Sequence, residues 1–216
     1  MPRPKDRTPQ ESRERIVQAA TELFSQRGYS GAGVDELAAR SGIAKTAIYY
    51  HFGSKEGLLA AVLERAATAW IEGIRAASQQ AGSPLERLDR SLAGMRTMLE
   101  ERPWILKLVQ LLALEVGEHK PDVRATIQGI VLKARTAIVD GLHESLGMDV
   151  PDAEAIANML LAMFDGIAFG RMLAPDLISL DDMFDEVRRV VMFMVATRIR
   201  PELLVWLHSQ IEGGPQ

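Results

Sequence analysis

The sequence contains no cysteine, no hairpin signal and no apolar run long enough to span a membrane. Each absence narrows the field. Without cysteine there are no disulfides, thiolate metal sites or cysteine nucleophiles, and nothing points to an oxidising compartment. No segment alternates apolar and polar residues for long, and no Asn-Gly or Asp-Gly pair joins two β-branched runs, so no sheet is expected. The longest mostly apolar stretch without a charge, Ala155 to Phe164, falls well short of the ~18 residues of a membrane span. The first ten residues, MPRPKDRTPQ, are charged and lack an apolar core. They are no signal peptide, and a cytoplasmic protein with no membrane partner is expected. No Ser/His/Asp set, carboxylate pair or glycine-rich phosphate loop stands out, so no enzyme activity is expected. The four histidines are scattered and Glu115, His119 and Asp122 make a poor ligand set, so neither a cofactor nor a metal is expected.

What is present describes a folded protein. Of 216 residues, 47% are apolar and 25% charged, the balance of a globular chain rather than a disordered one. The net charge of -4 is unevenly spread: residues 1–60 carry +2 and the remainder -6. Because surface fields are screened within roughly 10 Å at ordinary salt, a mildly basic head keeps its affinity for phosphate despite an acidic body.

Helix signals recur along the chain. Thr8-Pro9-Gln10-Glu11 is a capping box with proline at the first helical position, followed by Ile16, Ala20, Leu23 and Phe24 on one face up to Gly28. Ser83-Pro84-Leu85-Glu86 repeats that start, with Leu85, Leu88, Leu92, Met95 and Leu99 at helical spacing up to Pro103. From Pro121 a stripe of Val123, Ile127, Ile130, Ala134, Ile138, Leu142 and Leu146 runs to Gly147. Further helices are expected over 151–173, over 180–197 and, briefly, after Pro201. The reading is an all-α protein of about nine or ten helices. Residues 1–53 form a three-helix head, and 54–216 form a larger body that begins with a joining helix.

Within the head, GVDELAARSGIAKTAIYYHF fits two short helices crossing at a tight turn. Val34, Leu37 and Ala38 face inward, Gly42 suits a left-handed turn, and Ile43 and Ile48 close the core. With Ile48 inward, Lys45, Thr46 and Tyr50 fall on the exposed side of the second helix, placed to enter a major groove. Phe52 is expected in the core. Ser54 starts the next helix, so its amides and Lys55 form a phosphate anchor.

The segments RERIVQAATELFSQRGY, VDELAARSGIAKTAIYYHF and GSKEGLLAAVLE, in this order, resemble the amino-terminal domain of the TetR family of bacterial transcriptional regulators. The resemblance implies a homodimer that binds a palindromic operator of double-stranded DNA and releases it when a small-molecule effector fills the body. Carried over by position, it places DNA contacts at Lys45, Thr46, Tyr49, Tyr50, His51 and Lys55, and a phosphate contact around Gly33. Two positions depart from the family pattern. Gly33, preceded by Ala32, lacks the hydroxyl usual at the start of the second helix, and Ala47 stands where Ser or Thr is common, which either relaxes base readout or shifts it to a methyl contact.

Ligand and dimer surfaces rest on composition. Trp70, Met95, Met98, Trp104, Leu108, Leu112, Met163 and Phe164 are bulky or flexible apolar residues on several helices, suited to an irregular ligand cavity. Each is also an ordinary core residue, so the alternative is a DNA-binding regulator without an effector, its body serving dimerisation or a protein partner. Ala162, Gly166 and Gly170, four residues apart, let a second helix approach closely. With the apolar face that includes Val187, Val191 and Met194, that helix resembles one half of the family's four-helix dimer interface.

Overall fold

The computed structural model describes residues 8–115 and 121–198, apart from the side chains of 111–115 and 122. These residues hold nine helices and no strand: α1 (Pro9–Arg27), α2 (Val34–Ser41), α3 (Lys45–Phe52), α4 (Lys55–Gln79), α5 (Pro84–Glu101), α6 (Pro103–Glu115), α7 (Pro121–Leu146), α8 (Val150–Leu173) and α9 (Leu180–Ala196). The short helix expected after Pro201 lies outside the described residues.

Local chemistry sets the boundaries. At α1, Thr8 Oγ1 accepts from the Glu11 amide at 3.2 Å, and the Thr8 amide donates to the Glu11 carboxylate at 2.8 Å. Ser83 and Glu86 make the same reciprocal pair at α5, at 3.3 and 2.7 Å. Each box satisfies two amides that have no partner within the helix. The first helix ends at Gly28 and α7 ends before Gly147, both at positive φ.

The chain forms two compact units, Met1–Ala69 with Arg102–Val131, and Trp70–Glu101 with Leu132–Gln216. In the first, Ile16, Leu23 and Phe24 of α1, Leu37 of α2, Ile48 of α3 and Leu58, Leu59 and Leu63 of α4 are almost fully buried. Burying each such side chain contributes about 1.5–3 kcal/mol. In the second, the core comprises Leu92 and Leu99 of α5, Ala137 and Leu142 of α7, Ile156 and Phe164 of α8, and Val187, Val191 and Val195 of α9. Arg188 of α9 is held to Asp89 of α5 at 2.6 Å.

That arrangement corrects the expected dimer face. Val187 and Val191 are 3% and 1% exposed, and they pack inside their own unit, because α9 turns this side toward α5 and α8. Its outward apolar residues are Val190 and Phe193 instead, the latter 71% exposed. Helix α8 has Met159, Phe169, Met172 and Leu173 exposed, with Ala162 and Gly166 between them. By length and composition alone α8 is apolar enough to cross a membrane, and 28% of its most apolar window is buried in this chain. Asp165 stands on the exposed side at mid-helix, where a bilayer would penalise a carboxylate.

Candidate functional site

The helix-turn-helix is built as its residue types require. Gly42, at φ 64° and ψ 27°, occupies the left-handed region, and its amide caps α2 on the Ala38 carbonyl at 3.0 Å. Ser41 was not legible as a structural residue, because serine reads as surface. It is only 2% exposed, donates to the Leu37 carbonyl at 2.7 Å and accepts from the Ile43 amide at 3.3 Å. Without it the buried Ile43 amide would lose its partner. At the other end of α3, a Cβ on Gly57 would come within 2.1 Å of the Phe52 carbonyl oxygen. Only glycine allows α4 to begin so close beneath α3.

With Ile48 buried, α3 turns Lys45, Thr46, Tyr49 and Tyr50 outward. Tyr50 is 86% exposed and Tyr49 43%, so two large rings stand in solvent beside a lysine. Lys45 Nζ pairs with Asp35 Oδ1 of α2 at 2.8 Å, and this partner holds the ammonium above its ordinary range. Ala47 is half-buried. His51 sets its ring edge-on to Tyr50 at 5.4 Å, and it also lines a groove with Arg13, Phe52 and Glu64. Phe52 is a correction: it is half-buried rather than core, covered on one face by the Arg13 guanidinium at 5.4 Å.

The residues expected to anchor a phosphate, Ser54 and Lys55, stand at the start of α4. Ser54 Oγ accepts from the Gly57 amide at 3.1 Å. Lys55 Nζ lies 4.2 Å from the centre of the Tyr29 ring, and burial lowers its pKa from the ordinary value. At the start of α2, Gly33 provides no side-chain cap.

The second unit contains a cavity of about 50 Å³ between α4, α5, α7 and α8, lined by Ile74, Leu92, Met95, Ile138, Leu142 and Leu160 among others. Among the described residues expected to bind a ligand, only Met95 lines it. Trp70 and Phe164 stack on each other at 5.5 Å with planes 10° apart. Met98 is buried, Met163 is half-buried, and Trp104 and Leu108 belong to the other unit. The Leu112 side chain lies outside the described residues, as do those of Glu115, His119 and Asp122. Among the described residues no group of three or more His, Asp or Glu gathers as for a metal.

Known proteins carry the same pattern. The family model of bacterial regulatory proteins, tetR family, matches residues 16–62, from the core of α1 through the helix-turn-helix into α4. Residues 16–62 carry the amino-terminal domain of the TetR family. The HTH-type transcriptional activator FasR of Mycolicibacterium smegmatis is 29% identical over 153 residues, 71% of this chain and 68% of that protein. The regulator LmrA of Bacillus subtilis is 49% identical over 49 residues, and the match spans only 26% of its length. Among solved structures, a transcriptional regulator from Rhodococcus sp. Rha1 shares the fold at a TM-score of 0.69 and 21% identity, covering 88% of this chain and 99% of that one. FadR of Bacillus subtilis, in complex with stearoyl-CoA, does so at 0.65 and 19%, covering 82% and 96%. TetR-family proteins are DNA-binding transcription regulators and not enzymes, and some bind small molecules.

Proposed function

We propose that this TetR-family chain is a ligand-responsive repressor that binds a palindromic operator in the cytoplasm as a homodimer and is released by a small, largely apolar effector. The observation that carries the reading is the outward face of α3, where Lys45, Thr46, Tyr49 and Tyr50 stand free of the core on a helix anchored by buried Ile48. Arrays of this kind read base edges from the major groove, while the starts of neighbouring helices hold phosphates. Lys45, Thr46 and Tyr50 are assigned to the groove. Tyr49, His51, Lys55 and the amides at Gly33 are assigned to the backbone, and the Ala47 methyl to a thymine. DNA binding belongs to residues 1–53, and effector binding and dimerisation to 54–216.

Two copies join through the outward faces of α8 and α9, with Ala162, Gly166, Gly170 and Met194 beside Met159, Phe169, Val190 and Phe193. Two recognition helices must lie about 34–36 Å apart to meet successive major grooves. An effector that alters the spacing lowers affinity by favouring another conformation. A gel shift on the DNA flanking its own gene tests the assignment: the Lys45→Ala, Tyr50→Ala double variant loses binding that wild type keeps at the same salt. Equal binding by the two would refute the recognition face.

A second reading is favoured by the small cavity and the broad apolar side of α8: a regulator without an effector, its body serving dimerisation or a protein partner. The name of FasR bears on the sign of regulation, since that relative is an activator. A reporter driven by the flanking promoter, with and without the chain, decides between repression and activation.

A further inference from the structure

Two arginines one turn apart on α5 have very different surroundings. Arg90 donates to the carbonyls of Ala77, Gln80 and Ala81 at 3.5, 3.4 and 3.1 Å, serving the free carbonyls at the end of α4. The nearby Glu86 carboxylate is engaged by the Ser83 amide. Arg87 has neither duty. It lines the cavity of the second unit, its Nε is shut off from solvent, and that nitrogen has no hydrogen-bond partner. No carboxylate among the described residues pairs with it. Buried donors without an acceptor are rare, and a charged one is the more costly to leave unpaired.

The rest of the wall is mostly apolar, with Ile74, Leu92, Met95, Ile138, Leu142 and Leu160 beside Ser78, Ser91 and Ser145. A cationic donor at the edge of a hydrocarbon-lined space selects a molecule with matching parts. The Nε and Nη2 edge of a guanidinium accepts a carboxylate or phosphate side-on through two parallel hydrogen bonds. Pro84 and Leu88 bring the start of α5 to the same wall, where the helix dipole also favours negative charge. We infer that the cavity binds an amphipathic anion, with Arg87 pairing to its charged group and the apolar wall taking its hydrocarbon portion. This rests on the effector-binding reading of the body and narrows it to a chemical class. A free fatty acid and an acyl thioester that carries phosphates share that chemistry.

The cavity also explains how such a ligand would act. Its 50 Å³ exceeds the roughly 10–15 Å³ that one water needs, yet it holds only a few carbon atoms. A longer chain must part the helices around it. One turn from Ile74 on α4 and one from Leu160 on α8, Trp70 and Phe164 stack on each other at 5.5 Å. The indole Nε1 there is a second buried donor without a partner.

Calorimetric titration of the full chain with decanoate, decanoyl coenzyme A and uncharged decanol tests the inference. Wild type binds at least one anion ten or more times tighter than decanol. Arg87→Gln loses that preference, its affinity for the anion falling about 10–100-fold, the loss of one charge-assisted interaction of about 1.5–3 kcal/mol. Its affinity for decanol stays within about a factor of two. Stronger binding of decanoate assigns the free acid, and stronger binding of the thioester assigns the coenzyme A form. Equal wild-type affinity for decanoate, thioester and decanol, or an anion preference that survives in Arg87→Gln, overturns the anion assignment and leaves an apolar effector site standing. Binding of none of the three overturns the effector reading and this inference with it. If circular dichroism shows Arg87→Gln unfolded, the wild-type comparison and the charge-retaining Arg87→Lys, expected to keep part of the preference, decide the matter.

Discussion

Lys45, proposed to enter the groove, already has a partner in the free protein. Asp35 holds it at 2.8 Å from the preceding helix, so any contact with a base or phosphate must displace a carboxylate that is itself repelled by the duplex. Asp35→Asn removes both the competition and the repulsion. Fluorescence anisotropy on operator DNA should show tighter binding by this variant, with the gain largest at low salt because the repulsion is screened. No gain at any salt would mean that Lys45 leaves its partner without cost or does not face DNA. The pair spans the turn and was not legible from residue spacing, which placed Lys45 outward without revealing its neighbour. Gly42, Thr8 and Ser83 were legible, because caps and turns depend on a few consecutive residues. Ser41 and Arg87 were not, since their roles come from carbonyls and walls that the fold supplies.

Helices α8 and α9 show how a sequence stripe loses its direction. Helix α9 carries apolar residues at 187, 190, 191 and 194, a patch wide enough to cover both an inward and an outward side, and spacing alone does not say which side meets its own chain. Contact with α5 and α8 decides it. Val191→Ala should therefore cost about 0.5–3 kcal/mol in urea unfolding, while Phe193→Glu should leave the protomer folded and shift sedimentation from dimer to monomer. A dimeric Phe193→Glu would remove α9 from the interface. On α8, Asp165 keeps an exposed side, yet neighbouring side chains strip enough water from its carboxyl to raise its pKa above the ordinary 3.8. The folded chain then holds this proton to higher pH than the unfolded chain. This group's contribution to stability accordingly falls as pH rises from 3.8 through the raised value, and remains lower beyond it. Asp165→Asn should melt higher than wild type at pH 7, with the advantage vanishing below pH 3.8. An unchanged difference across that range would show that desolvation is not the cause.

For the molecule as a whole, regulation requires that one ligand favour a conformation the other disfavours. A cavity already large enough for its effector would change little on filling. One of 50 Å³ ties binding to movement of the four helices that line it, so part of the contact energy goes into separating them. An effector at 100 times its dissociation constant should still stabilise the chain by about 2.7 kcal/mol, read as a raised melting temperature, and the same concentration should release operator DNA in a gel shift. A raised melting temperature with the operator still bound would separate ligand binding from regulation. Family and fold were legible from three segments of the head. The cavity was not, because its lining comes from four helices far apart in sequence, and the bulky residues that stood out in composition mostly fill the core.

The bare start of α2 offers a reporter for the proposed bound state. Gly33 supplies no side-chain oxygen for the amides of the first turn, and the first backbone bond of that helix is donated by Leu37 to the Gly33 carbonyl. In free protein the amides of Val34, Asp35 and Glu36 have no partner within the helix, whereas a hydroxyl at position 33 would cap at least one of them. Deuterium uptake at these three residues should therefore slow when operator DNA covers them as proposed, and unchanged uptake would remove Gly33 from the phosphate contacts.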